Sequence, residues 1–307
     1  MSIPELNKTG NVLSKFILWI ILPFGTTGNL LIISCFLKIN FSNLRKMSVY
    51  HFLIIQLAMV DLIISATTPI TISEFYEKEW LLGQFMCSYG YPSLISTLPY
   101  ISCWVLVLIA YQRYRTLTRP FAYTIPKYKY AVAILSIALV CFLFYLPFTL
   151  KTRLDVTETG KVECKDGMRY FSAKEYVAYG LFLRTIDCFL PASLMCFFYR
   201  GVNTRMNKET NSFVLTEQSK KRNKQALNTL RNLILVYICC VFPGRLVVSG
   251  LHMEDNFRTD QRFYFYFVHE LFSFISLLNN IINVVVYLTI IEDFRRFTLK
   301  IVTFGKM

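Results

Sequence analysis

The chain has 307 residues, of which 54% are hydrophobic and 16% aromatic, a mean hydropathy of +0.44 and a formal charge of +14. These values exclude an ordinary soluble domain and point to one integral membrane domain, 1–307. The basic balance does not imply nucleic acid, because neither a soluble basic domain nor a stacking platform is visible.

The polar start, 1–13, lacks the basic n-region of a cleaved signal, and the first apolar run is long enough to act as its own insertion signal. Crossing ~30 Å of hydrocarbon takes windows that occur seven times: Ser14–Leu37, Met47–Ile72, Gln84–Arg115, Tyr130–Leu150, Tyr176–Tyr199, Ala226–Leu251 and Phe263–Ile290. The predicted fold is therefore an all-α seven-helix membrane bundle over 14–290. Residues 291–301 alternate apolar and basic side chains at helical spacing, which predicts a short amphipathic helix lying in the interface, followed by a tail, 302–307.

Placing the connections after spans one, three, five and seven in the cytoplasm puts 20 of the 33 Lys and Arg, but only 4 of the 19 Asp and Glu, on or near that side. The positive-inside bias thus predicts an extracellular N-terminus, with anionic lipid headgroups and a cytosolic protein as partners of that charge. On the outside, Asn7-Lys8-Thr9 is a glycosylation sequon. The connection 151–174 alternates side chains on either side of Thr159-Gly160 and predicts a β-hairpin lid carrying Cys164. Of nine cysteines, Cys87 and Cys164 alone fall in polar extracellular connections, where disulfides persist, and they are the candidate pair.

Several residues carry more than span composition. Asp61 is a carboxylate in mid-membrane and a functional candidate, either paired and ionised or protonated among amides. Arg184 and Asp187, three apart, share one face of the fifth span, with Arg245 on the sixth and His269 and Glu270 on the seventh. Two readings stand for them. They bind a ligand, for which two arginines against one aspartate favour an anionic group, or they tie helices together and, for His269 and Glu270, are wetted at the helix end. Three histidines, His51, His252 and His269, on separate elements give neither a nucleophile–base pair nor a metal cluster, which argues against an enzyme.

An ordered set of residues along nearly the whole chain resembles the rhodopsin-like (class A) G-protein-coupled receptors, in particular those for peptides. The set comprises Gly28-Asn29, Leu57-Ala58-Met59-Val60-Asp61 and Trp80-Leu-Leu-Gly83 with Cys87. It continues with Gln112-Arg113-Tyr114 and Pro120-Phe121, Pro191 with Tyr199, Cys240 with Pro243, Asn279, Asn283 and Tyr287, then Phe294-Arg295-Arg296. The departures are Gln112 for the acid before the arginine, Val241 for the sixth-span tryptophan, Val284 for the seventh-span proline and no fourth-span tryptophan. One extra residue also lies between Cys87 and Arg113, expected to be absorbed near Pro92 or Pro99.

The resemblance implies an extracellular ligand and a heterotrimeric G-protein, coupled by outward movement of the sixth span. Arg113, Tyr199 and Tyr287 would be the transmission set and Pro243 the kink that makes the sixth span a lever. It implies a sodium ion among Asp61, Ser102, Asn279 and Asn283, with Asn29 nearby. Gln112 is neutral and the sixth span begins with bases, so the lock on Arg113 is weak and raised basal activity is expected. Leu94 or Ile95 stands where amine receptors carry an aspartate, and no lysine follows Glu270 in the seventh span to form a retinal Schiff base. Thr67-Thr68-Pro69, the lid and a charged vestibule lean toward a peptide. A small anionic chemosensory ligand and a non-signalling decoy are the alternatives, with a membrane transporter or channel behind them.

Overall fold

The computed structural model describes residues 3–41, 47–72, 80, 82–119, 124–156, 160, 162–165, 171–210, 217–243 and 259–303. Helix boundaries follow the local chemistry. α1 runs Ile3–Ile39, longer than the apolar window, since Pro4 sits in the first turn, where its missing N–H costs nothing. α2 spans Val49–Ile72. The third span opens with one turn, Gly83–Phe85, and a π turn, Met86–Gly90, before α3, Tyr91–Thr118. α4 is Lys127–Lys151.

The fifth span starts at a capping box: Ser172 Oγ accepts from the Glu175 N–H, and the Glu175 carboxylate accepts from the Ser172 N–H at 3.0 Å. These bonds from Ser172 hold the Glu175 carboxyl below the usual carboxylate range. α5 covers Ala173–Arg184, a π turn Thr185–Phe189 follows, and α6 runs Leu190–Thr210. The sixth span consists of α7, Glu217–Val236, and a π turn, Tyr237–Val241. α8 is Thr259–Ile290, and the chain then turns by 103° into α9, Glu292–Val302.

Each of the three π turns ends two residues before a proline: Pro92, Pro191 and Pro243. A proline ring collides with the carbonyl one turn back and offers it no N–H, and a widened turn relieves both problems. A π turn also takes up one extra residue. Met86–Gly90 lies just upstream of Pro92, one of the two places expected for the surplus residue between Cys87 and Arg113.

α3 is the central element, packed against α2, α4 and α6, while α1 lies against α2 and α8. Position explains composition. Among the described residues, α1, α2, α4 and the fifth span are long and apolar enough to cross a membrane by themselves, and α8 joins them with α9 as a bent pair. α3, lined by protein on most sides, carries Ser102, Gln112 and Arg113 instead. α4 turns Leu135, Leu139 and Leu143 outward, as a lipid-facing helix requires. The core that links the helices includes Ile32, Phe36, Leu53, Leu57, Ile109, Met195, Tyr237 and Tyr287. α9 buries Phe294 in that core, stacked on Phe36, and leaves Leu299 and Ile301 exposed for the interface.

The hairpin forms as expected, with β1, Arg153–Val156, antiparallel to β2, Val162–Lys165, and Leu154 opposite Cys164. Gly160 in its turn has φ +79°, a conformation that L side chains rarely adopt. Lys165 bonds the exposed Asp155 and holds its carboxyl below the usual range. Two ties fix the hairpin, one to the third span and one to Trp80 in the segment before it. A disulfide joins Cys87 to Cys164, and the Trp80 N–H donates to the Val162 carbonyl at 2.7 Å. Trp80 is itself buried in a cluster with Cys87, Leu154 and Val162.

The disulfide closes a loop of 77 positions, but both ends already belong to anchored elements, so its effect falls below the free-chain value. Cys164→Ser is expected to lower the melting temperature by roughly 3–8 °C. Unchanged melting would mean that the Trp80 contacts hold the hairpin without it.

Candidate functional site

The polar residues of the bundle fall into three groups along its length. The middle group centres on Asp61, which is fully buried on α2. Its two oxygens are taken separately: Oδ1 accepts from Ser102 Oγ of α3 at 2.9 Å, and Oδ2 from Asn283 Nδ2 of α8 at 2.9 Å. Ser65, one turn along α2, bonds back to the Asp61 carbonyl at 2.8 Å. Gly25 lets α1 approach this point, because a Cβ there would lie 2.3 Å from Ser65 Oγ. Asn29 of α1 then spans the gap to α8, donating to the Gly25 carbonyl at 2.8 Å and the Asn280 carbonyl at 3.2 Å.

The Oδ1 atoms of Asn29, Asn279 and Asn283 are buried and have no hydrogen-bond partner among the described residues. Asn279 and Asn283 are four apart and share one face of α8. Buried amide oxygens without donors are uncommon and call for an explanation. Together with a carboxylate they make an oxygen-only donor set, which suits a hard cation.

The second group lies toward α9. Arg113 places its guanidinium 3.4 Å from the ring centroid of Tyr50 on α2. No acid pairs with it among the described residues, and Gln112 beside it is buried with an unpartnered Oε1. The aromatic face therefore takes the place expected of a carboxylate. Tyr287 is 1% exposed, with a hydroxyl that has no partner among the described residues. Tyr199 packs half-buried against the core cluster. Leu230, Leu233 and Ile234 of α7 are buried against the bundle, so this end is closed.

The third group lies toward the hairpin. Arg184 and Asp187, both buried, pair with each other, Nη1 to Oδ2 at 3.0 Å, and Arg184 Nη1 also donates to the Tyr100 hydroxyl of α3 at 3.3 Å. The Tyr100 hydroxyl meets that of Tyr145 on α4. These bonds tie the fifth span to α3 and, through Tyr100, to α4. Arg245, on which the surplus positive charge rests, lies outside the described residues. His269 and Glu270 fall on α8, and Asn7 on α1, but their side chains lie outside the described residues as well.

Sequence reasoning missed Tyr50, Tyr100, Tyr145 and Tyr237 as polar partners. The available signal was general: a tyrosine inside a span buries its ring only if its hydroxyl or its π face finds a use. Pro243 is half-buried at the end of the described sixth span.

Arg113 and Tyr50 are both half-buried, and a cation–π contact in such a setting is worth ~1 kcal/mol. Tyr50→Leu is expected to free Arg113 and raise basal nucleotide exchange up to about five-fold at matched surface expression. Gln112→Asp, which supplies the missing acid, is expected to lower it. Equal exchange in all three proteins would remove the lock from the account.

Comparison with known proteins gives the same outline. The model of the 7 transmembrane receptor (rhodopsin family) matches residues 28–287. Mouse proteinase-activated receptor 2 is 23% identical over 78% of this chain, and the chain spans 59% of that receptor's length. Rat succinate receptor 1 is 26% identical over 78% of this chain and 70% of its own. The QRFP-like peptide receptor of Branchiostoma floridae is 21% identical over 96% of this chain and 78% of its own. With the family match covering most of its length, the chain belongs to the rhodopsin family of seven-transmembrane receptors.

Proposed function

We propose that this chain is a plasma-membrane receptor, N-terminus outside, that binds an extracellular peptide and promotes nucleotide exchange on a heterotrimeric G-protein. The observation that carries this reading is Arg113: a half-buried arginine at the α9 end of the bundle, with its guanidinium over an aromatic face and no acid paired with it among the described residues. A cation so placed is ready to be released when the sixth span moves outward. Tyr287, whose hydroxyl has no partner among the described residues, and Tyr199, half-buried against the core, would fill the vacated space.

A peptide fits the hairpin end because the lid is a rigid strand pair tied down by a disulfide, which offers backbone and side chains to an extended ligand. In α2, Thr67 and Thr68 bond back to the carbonyls of Ile63 and Ile64 ahead of Pro69, the kind of bend that opens a helix end. The name of the Branchiostoma floridae relative points the same way. A small carboxylate ligand is the second reading, supported by the name of the succinate receptor. Pairing of Arg184 with Asp187 weakens it, since that guanidinium is already committed.

The oxygen set around Asp61 fits a monovalent cation. Asp61, Ser102, Asn279 and Asn283, with Asn29 beside them, would hold a sodium ion, which supplies compensating charge to the buried carboxylate. The chain's own part is to keep that carboxylate bonded to α3 and α8. Asp61→Asn is expected to abolish the dependence of agonist affinity on sodium chloride. An unchanged salt dependence would exclude the site.

The direct test is basal nucleotide exchange on a panel of G-proteins, comparing wild type with Arg113→Ala at equal surface expression. Exchange that falls to background in the variant supports a coupled receptor. Exchange that does not depend on Arg113 contradicts it.

A further inference from the structure

The fifth and sixth spans meet where neither backbone is regular. Pro191 has no N–H, so the carbonyl of Asp187, one turn back, loses its ordinary helical donor. The π turn Thr185–Phe189 carries that carbonyl and the carbonyl of Cys188. Across the interface the hydroxyl of Tyr237, the first residue of the sixth span's own π turn, reaches both, at 3.2 Å and 3.4 Å. Tyr237 is 1% exposed and sits in the main core, where water cannot substitute for these bonds.

The bonds do not end at Tyr237. The side chain of Asp187 accepts from Arg184, Arg184 reaches Tyr100 on α3, and Tyr100 meets Tyr145 on α4. One polar path thus starts in the hairpin half of the bundle, joins four spans, and finishes on the lever just before Pro243.

We propose that Tyr237 is a positioning residue for activation: its hydroxyl clasps the sixth span to the fifth in the closed arrangement, and the Arg184–Asp187–Tyr100 network sets the strength of the clasp. This inference rests on the receptor reading above. Outward movement of the sixth span withdraws the phenol from the Asp187 and Cys188 carbonyls and strips a hydrogen bond in a dry interior, a penalty that favours the closed state. A ligand that shifts Arg184 or Tyr100 moves the Asp187 segment and relaxes the clasp from the far side, so the two ends of the bundle bias one equilibrium.

Tyr237→Phe removes the hydroxyl and keeps the ring. Basal exchange is expected to rise about five-fold, the shift that one net hydrogen bond gives a two-state equilibrium. Pro191→Ala returns an amide N–H to the helix, which competes for the Asp187 carbonyl. In that background the further effect of Tyr237→Phe is expected to shrink to less than about two-fold. Unchanged or lower exchange in Tyr237→Phe, or an equal ratio in both backgrounds, would overturn the proposal.

A second readout does not depend on coupling. Spin labels at Thr204→Cys on α6 and Lys224→Cys on α7, both exposed, report the separation of the two helices after Cys196, Cys239 and Cys240 are replaced by alanine. Tyr237→Phe is expected to move population toward longer distances. If no G-protein shows exchange with any variant, the receptor reading fails and the distances alone decide: a wider distribution upholds the clasp, and an unchanged one rejects it.

Discussion

The structure depends on one buried carboxylate. Apolar packing between helices in a membrane is non-directional and sets neither register nor rotation with much force, because lipid tails are as apolar as leucine. A carboxylate in the same medium has to be bonded, and its bonds have direction. By giving one oxygen to Ser102 and the other to Asn283, Asp61 fixes α2 against α3 and α8 at a single level of the bundle. The neighbouring features follow from this clamp. Gly25 admits α1 close to Ser65, and Asn29 completes the circle to the Asn280 carbonyl. The Oδ1 atoms of Asn29, Asn279 and Asn283 are left buried without a donor among the described residues.

Proline is the second constraint. The proline-associated π turns place irregular backbone in the third, fifth and sixth spans, and each frees or redirects carbonyls that must find donors. In the fifth span the donor is a phenol from a neighbouring helix, so a local defect becomes an interhelical bond. In α2 the threonines ahead of Pro69 bond to the carbonyls of Ile63 and Ile64 in their own helix.

Much of this was legible in the sequence, and the rest was hidden for definite reasons. Apolar windows located the spans, because a membrane limits both length and polarity, and alternation on either side of Gly160 located the hairpin. Helix ends were less legible: α1 begins at Ile3 and α6 continues to Thr210, since helical bonding does not stop where the apolar window stops. The i, i+3 spacing of Arg184 and Asp187 correctly put them on one face. It did not show that they bond each other and that Arg184 also reaches Tyr100, which lies 84 positions away. The same limit applies to Arg113, where local sequence showed the missing acid at Gln112 but not the ring of Tyr50 that replaces it. Contacts across spans are not encoded at any fixed spacing.

The central claim is that the Asp61 carboxylate and the Asn283 amide act as one unit in holding α2 to α8. A double-mutant cycle on thermal stability of the purified receptor tests it most directly, using Asp61→Ala, Asn283→Ala and the pair. The account predicts that the double variant loses less than the sum of the single losses, with a coupling of about 1–2 kcal/mol for a buried charge-assisted bond. Strict additivity would mean that the two residues contribute separately, and the clamp would not exist.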